Sequence, residues 1–387
     1  MGLSFSRRVG RIRISETKLM PMIAAEVGGC VSLGQGVPSF PTPEHVVDAV
    51  CRALREDHSA GKYSLQPGMP ALREAVAGLL EREKGLRVDP RAEVVITVGA
   101  MEALLCAVLA LVEEGDEVLM PSPAYASHVE QVLLAGGVPV PVPVGPGWGL
   151  DAAALEAAVT PRTRAIVFSN PCNPTGAVFG ERELRELARV AERHDLYVIT
   201  DETYDSLVYD GPTAPSVAAL PGLAGRCVLV NSFSKRFALT GWRVGYAWAG
   251  APIMDQMLKV HDCTAICAPT VAQHAALAAL DGPQDVFAAM REALAGRREL
   301  ACKRLDALAG ALDYVRPAGA FYIMARTLFT PEPSRRVAER LIREARVITI
   351  PGSTFGAAGE GHLRLSYGAA PEELEEAFDR LARWVSA

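Results

Sequence analysis

The chain has 387 residues, half of them apolar, with a formal net charge of −6, enough for one large α/β domain with a smaller one attached. Acidic and basic residues are interspersed, so there is no basic stripe of the kind that follows a nucleic-acid backbone. The apolar runs, such as AVLALV, are short and bounded by charges, which argues against a membrane span.

The N-terminus, MGLSFSRRVGRIR, fits a loose lipidation pattern and is basic. It lacks the apolar segment of a secretion signal, so it is read as an extended arm. From about residue 43 the pattern becomes periodic. A helix is expected near 43 to 57 and another near 69 to 84. Strand EVVITVG, helix AMEALLCAVLALV, strand EVLMPS and helix SHVEQVLLAGG follow, after which VPVPVPVGPG reads as a short biased segment. Next come strand RAIVFSN, helix ERELRELARVAERHD and strands LYVITDE and RCVLVNSFS. Continuous apolar strands separated by helices point to a mainly parallel sheet covered on both faces. From 283 onward a long helical pattern gives way to short strands around YVRPAGAFYIMA and HLRLSYG, then a helix from about 371. The expected division is an arm and part of a small domain at 1–42, a large domain at 43–283 and a C-terminal small α+β domain at 284–387.

The eight cysteines form no CxxC pair and no zinc-spaced cluster with histidine, so they read as reduced thiols of a cytoplasmic protein, with no metal. In an open parallel sheet ligands bind beyond the carboxyl ends of the strands. Here those ends deliver Gly99, Ala100 and Met101, then Pro121 to Tyr125, Asn170 to Gly176, Asp201 to Tyr204, and Ser232 to Lys235. A helix opening at Gly99-Ala100-Met101 offers free N–H groups to an anion, and Ser232, Ser234 and Arg243 add donors. A buried carboxylate at Asp201 needs a cationic partner. A buried Lys235 has a lowered pKa and becomes a nucleophile toward an aldehyde. A phosphate, a ring nitrogen and an aldehyde together describe pyridoxal 5′-phosphate.

SFSK followed by GWRVG, with TDETY and NPCNPTG before them, resembles the signatures of fold-type I pyridoxal-phosphate aminotransferases of the aspartate/aromatic class. SLGQGVPSFPTP, KYSLQPGMPALREAVA, VGAMEALL and HLRLSYG extend the likeness along nearly the whole chain. The resemblance implies a seven-stranded sheet and a homodimer with shared active sites. It makes Lys235 the Schiff-base lysine and proton carrier, and Asp201 the partner of the ring nitrogen. Tyr204 and Asn173 take the ring oxygen, and Tyr125 stacks on the ring. Gly99 to Met101, Ser232, Ser234 and Arg243 form the phosphate cup, with Tyr63 reaching the neighbouring subunit's phosphate. Arg364 takes the substrate carboxylate beside Gly36 and Asn173. His128, His194 and His261 stay unassigned, and Ser122-Pro123 and Asn173-Pro174 are expected to be cis.

The implied reaction moves an amino group from an L-amino acid to a 2-oxo acid, with 2-oxoglutarate the usual acceptor. Some aspartate-specific relatives carry a lysine where this chain has Met101, which favours neutral, aromatic or broadly accepted donors, with aspartate left open as the alternative. Two other readings stand beside it. One is a C–S β-lyase using the same lysine. The other is a non-enzymatic pyridoxal-phosphate-sensing module, disfavoured because no DNA-binding segment precedes the homologous part.

Overall fold

The computed structural model describes residues 5–12, 14–211 and 213–386; the first four residues of the lipidation-like pattern lie outside them. In chain order the strands are β1 (Val31–Ser32), β2 (Val94–Thr97), β3 (Glu117–Ser122), β4 (Val138–Pro143), β5 (Thr163–Ser169), β6 (Tyr197–Asp201) and β7 (Cys227–Ser232). They continue with β8 (Gly245–Ala249), β9 (Leu312–Tyr314), β10 (Tyr322–Thr327), β11 (Val347–Ile348), β12 (Ile350–Pro351) and β13 (His362–Ser366).

Seven strands form one sheet in the order β2-β8-β7-β6-β5-β3-β4, with β8 antiparallel to both neighbours and every other pair parallel. Strand periodicity of two sends alternate residues into two cores. Ile96, Leu119, Ile166, Phe168, Val198 and Leu229 pack on one face with the helices Glu44–Glu56, Pro70–Lys84, Glu181–Arg193 and Thr270–Asp281. Val95, Val118, Val167, Ile199, Val228 and Ala247 pack on the other with Ala100–Leu111, Ala126–Ala135 and Ala251–Thr264.

A third core joins the antiparallel sheet β12-β13-β10-β9 to the helices Asp285–Asp306, Ser334–Arg340 and Pro371–Val385. Met20, Ala24 and Leu33 from the start of the chain belong to this core, and β1 pairs with β11. The N-terminus is therefore not an extended arm throughout. From Glu16 to Val27 it is a helix, capped by the Ser15 side chain and carrying Pro21 inside.

Five of the seven large-sheet strands follow the predicted apolar runs. β4 is VPVPVP, the segment set aside as biased: it lies at the sheet edge, the place a proline-bearing strand can occupy. Val138 N donates to Asp116 O at 2.8 Å, so the valines face β3 and the three prolines face away. β8 is the other addition. Its residues follow Arg243 so closely that they read as part of that motif.

Candidate active site

The carboxyl ends of β2, β3, β5, β6 and β7 open on one cleft of ≈ 540 Å³, closed on its far side by Tyr322 of β10, Arg364 of β13 and the loop carrying Gly34 to Val37. Gly36, Ala100, Met101, Tyr125, Asn173, Asp201, Tyr204, Ser232, Ser234, Lys235, Arg243 and Arg364 all line it. Gly99 adjoins it at the start of the helix Ala100–Leu111. Tyr63 lies outside the cleft and is 77% exposed.

Lys235 sits in the one-turn helix Phe233–Arg236 that begins where β7 ends. Its Nζ donates to Gly36 O and lies 5.7 Å from the centre of the Phe321 ring. Burial, reinforced by the charges of Arg243 and Arg364, lowers its pKa to about 8. At pH 7 about a tenth of such an amine is unprotonated, enough for a nucleophile and base.

Asp201 is the last residue of β6 and is buried. Burial alone would raise its pKa. A contact of 3.2 Å from Oδ2 to His128 Nε2, and the N–H of Thr203 at 3.1 Å from Oδ1, outweigh that and hold the carboxyl below its usual value. The strand's alternation separates the charges of TDETY. Asp201 faces the cleft, whereas Glu202 Oε2 and Asp205 Oδ2 meet Lys84 Nζ at 2.8 and 2.7 Å behind the sheet. Tyr204 returns to the cleft, its hydroxyl 2.8 Å from that of Tyr322, and burial raises its pKa well above the usual tyrosine value.

At the phosphate-like end, Ser232 Oγ donates to Ser234 Oγ at 2.8 Å and accepts from Ser234 N at 3.1 Å. Gly99 has φ +73°, and a Cβ there would lie 2.7 Å from Arg243 Nη2. Only glycine lets the guanidinium come this close to the helix start. Glu102 fixes that start from the other side. It accepts from Val98 N at 2.5 Å and contacts His261 Nδ1 at 2.7 Å, while His261 Nε2 donates to Gln66 O at 3.0 Å.

At the opposite end Arg364, 3% exposed, donates to Asn173 Oδ1 at 3.1 Å and to Gly34 O at 2.8 Å. Its guanidinium lies over the rings of Tyr322 and Phe355 at 4.5 and 5.0 Å. The Ser122-Pro123 and Asn173-Pro174 bonds are cis, and so is Asn170-Pro171.

These residues suit pyridoxal phosphate. Arg364 Nε and Thr203 Oγ1 are buried on cleft-lining residues with no partner among the described residues, and buried polar atoms are normally satisfied. The glycine-opened helix start, two hydroxyls and Arg243 offer donors to a phosphate, and Asp201 offers a carboxylate to a protonated ring nitrogen.

Sequence reasoning did not assign His128, Tyr322, Thr17 or Lys18, all of which the structure brings to or beside the cleft. His128 and Asp201 are 73 residues apart, so only the fold makes them neighbours. Met101 does line the cleft as expected and brings no charge to it.

A parallel sheet with an antiparallel strand beside the lysine-bearing one, and a second domain supplying an arginine, define the cofactor cleft of a fold-type I transferase. The chain matches the family "Aminotransferase class I and II" over residues 29–381 and belongs to it. It is similar to the aspartate aminotransferase of Pyrococcus abyssi, 40% identical with 98% of each chain covered. It is equally similar to the aromatic-amino-acid aminotransferase 2 of Thermococcus litoralis, again 40% identical with 98% of each covered. The structure of the Thermus thermophilus aspartate aminotransferase with maleate superposes with TM-score 0.93 at 40% identity, covering 99% of this chain and 100% of that one. The protein is a pyridoxal-phosphate-dependent aminotransferase, and these relatives do not favour the lyase reading. No described helix is long and apolar enough to cross a membrane.

Proposed function

We propose that the chain transfers amino groups from a broad set of L-amino acids, the neutral and aromatic ones and also the acidic aspartate, to 2-oxoglutarate, as a cytoplasmic homodimer. The observation that carries the reading is the meeting of Lys235, Asp201 and Arg364 in one cleft. The donor range is supported by the uncharged Met101 and by relatives named for both aspartate and aromatic substrates. The dimer is supported by the placement of Tyr63: exposed and outside its own cleft, it is available to the phosphate site of a second copy. The division at 43 and 283 is kept, with 16–33 joining the small domain through the third core.

Bound pyridoxal phosphate supplies an aldehyde to take the amino group and a protonated ring to accept the electron pair left at the substrate Cα. Every other contribution is the chain's own. Gly99, Ala100, Met101, Ser232, Ser234 and Arg243 would hold the phosphate. Tyr125 would offer an aromatic face to the cofactor, and Asn173 and Tyr204 hydrogen-bond donors to it. Asp201 holds the ring-nitrogen proton, which is why a depressed carboxyl pKa matters: a neutral acid could not stabilise the positive charge. Arg364 grips the substrate carboxylate with its planar fork, next to Gly36, and so fixes which Cα bond faces Lys235. Lys235 Nζ would hold the cofactor through its aldehyde. As a free amine it would take the substrate Cα proton and give it back, the task its lowered pKa suits.

Lys235→Ala tests the reading. Amino transfer is expected to fall by at least about 10⁴-fold, while the cofactor still binds through the phosphate cup. Borohydride is expected to trap it covalently in the unaltered protein only. Full multiple-turnover activity in the variant would end the assignment, and pyruvate and ammonia released without an oxo-acid acceptor would favour the lyase.

A further inference from the structure

Four cationic side chains line the cleft, Lys18, Lys235, Arg243 and Arg364, against the single carboxylate of Asp201. The proposed function uses three of them: Arg243 on phosphate, Arg364 on the α-carboxylate, and Lys235 as the reacting amine. Lys18 is left over. It is exposed and forms no ion pair among the described residues. Glu130 of the helix Ala126–Ala135 feels its charge but is not within ion-pair distance, and burial rather than Lys18 dominates at that carboxyl.

Lys18 reaches the cleft because of the helix Glu16–Val27. With about 100° of rotation per residue, Thr17, Pro21 and Lys18 fall on one arc of that helix, and these are its three cleft-lining residues. Leu19, Met20, Ile23, Ala24 and Val27 fall on the opposite arc and pack into the small-domain core. The helix start is pinned by the Ser15 cap and by an ion pair of 3.3 Å between Glu16 and Arg335. The lysine therefore has a fixed base and an exposed side chain.

A broad aminotransferase meets a particular difficulty. The same cleft takes an uncharged side chain in the first half-reaction and the distal carboxylate of a 2-oxo diacid in the second. A fixed buried cation would penalise the first. A long, solvated lysine at the rim does not, because its ammonium can stay in water when the ligand is neutral.

We propose that Lys18 is the cation that meets the distal carboxylate of dicarboxylic ligands, the 2-oxo diacid acceptor above all. This rests on the reading of Arg364 as the α-carboxylate grip. The experiment compares second half-reactions of the aminated holoenzyme with 2-oxoglutarate and with phenylpyruvate, followed in single turnover by the cofactor's visible absorbance. An exposed ion pair is weak and screened by salt. Lys18→Met is therefore expected to lower the ratio of the two second-order rate constants about fivefold at low ionic strength, and Lys18→Glu to lower it further. Both effects should shrink at about 0.5 M salt.

Calorimetric binding of succinate against 3-phenylpropionate is expected to show the same change of ratio, and it needs no turnover. A protein that transferred no amino group to either acceptor would defeat the proposed function, while the binding ratio would still decide the role of Lys18. Ratios within twofold of the unaltered protein, or a joint loss for both ligand types, would overturn the proposal.

Discussion

Gly36 stands where the two proposed halves of the reaction meet, since its carbonyl accepts from Lys235 Nζ and its Cα faces the Tyr322 hydroxyl. A Cβ added there would lie 2.5 Å from Tyr322 Oη but 3.5 Å from Cζ, the next atom. The first distance is about 1 Å inside the usual contact of roughly 3.5 Å, and the second is ordinary packing. Tyr322 cannot easily retreat, because its hydroxyl is bonded to Tyr204 and its ring lies under Arg364. Gly36→Ala is therefore expected to cost about 1–3 kcal/mol as an overpacked site. Tyr322→Phe is expected to cost about 1–2 kcal/mol by leaving the Tyr204 hydroxyl unpartnered. The double variant removes the clashing oxygen, so it should be no less stable than Tyr322→Phe alone, with a coupling of about 1–3 kcal/mol. Urea unfolding of all four proteins, saturated with cofactor, measures this directly. Additivity to within about 0.5 kcal/mol would refute the reasoning.

Two further substitutions probe the ends of the cleft, beside the Lys235→Ala test. His128→Phe removes the contact that helps keep the Asp201 carboxyl low, so the acid limb of the pH–rate profile should move to higher pH, with about a tenfold loss of rate near neutrality. An unmoved acid limb would detach His128 from Asp201's task. Arg364→Lys replaces a fork held by Asn173 and Gly34 with a single ammonium. The KM for every donor should rise by roughly 10²-fold, with cofactor affinity unchanged. An equal loss of cofactor would mean that Arg364 organises the cleft rather than grips the substrate.

The parts of this molecule that could be read in the chain are those whose physics is local. Parallel strands buried on both faces announce themselves as apolar runs, and five of them ended in polar residues that the fold does bring together. What escaped reading depends on contacts between distant residues. His128 gains its meaning from Asp201, Tyr322 from Gly36 and Tyr204, and Lys84 from two carboxylates more than a hundred residues on. β1, β11 and β12 have two residues each, too few to carry a period. The helix Glu16–Val27 carries Pro21 inside it, which hides its period and, with it, the place of Lys18 in the fold.

The proline-bearing strand has one more consequence. With the valines of β4 turned toward β3, the outward positions 139, 141 and 143 are all proline. An incoming chain would meet carbonyls and pyrrolidine rings, with no N–H to complete a ladder. The seven-stranded sheet is thus closed to growth along this edge by its own covalent structure, and a neighbouring chain finds no template there.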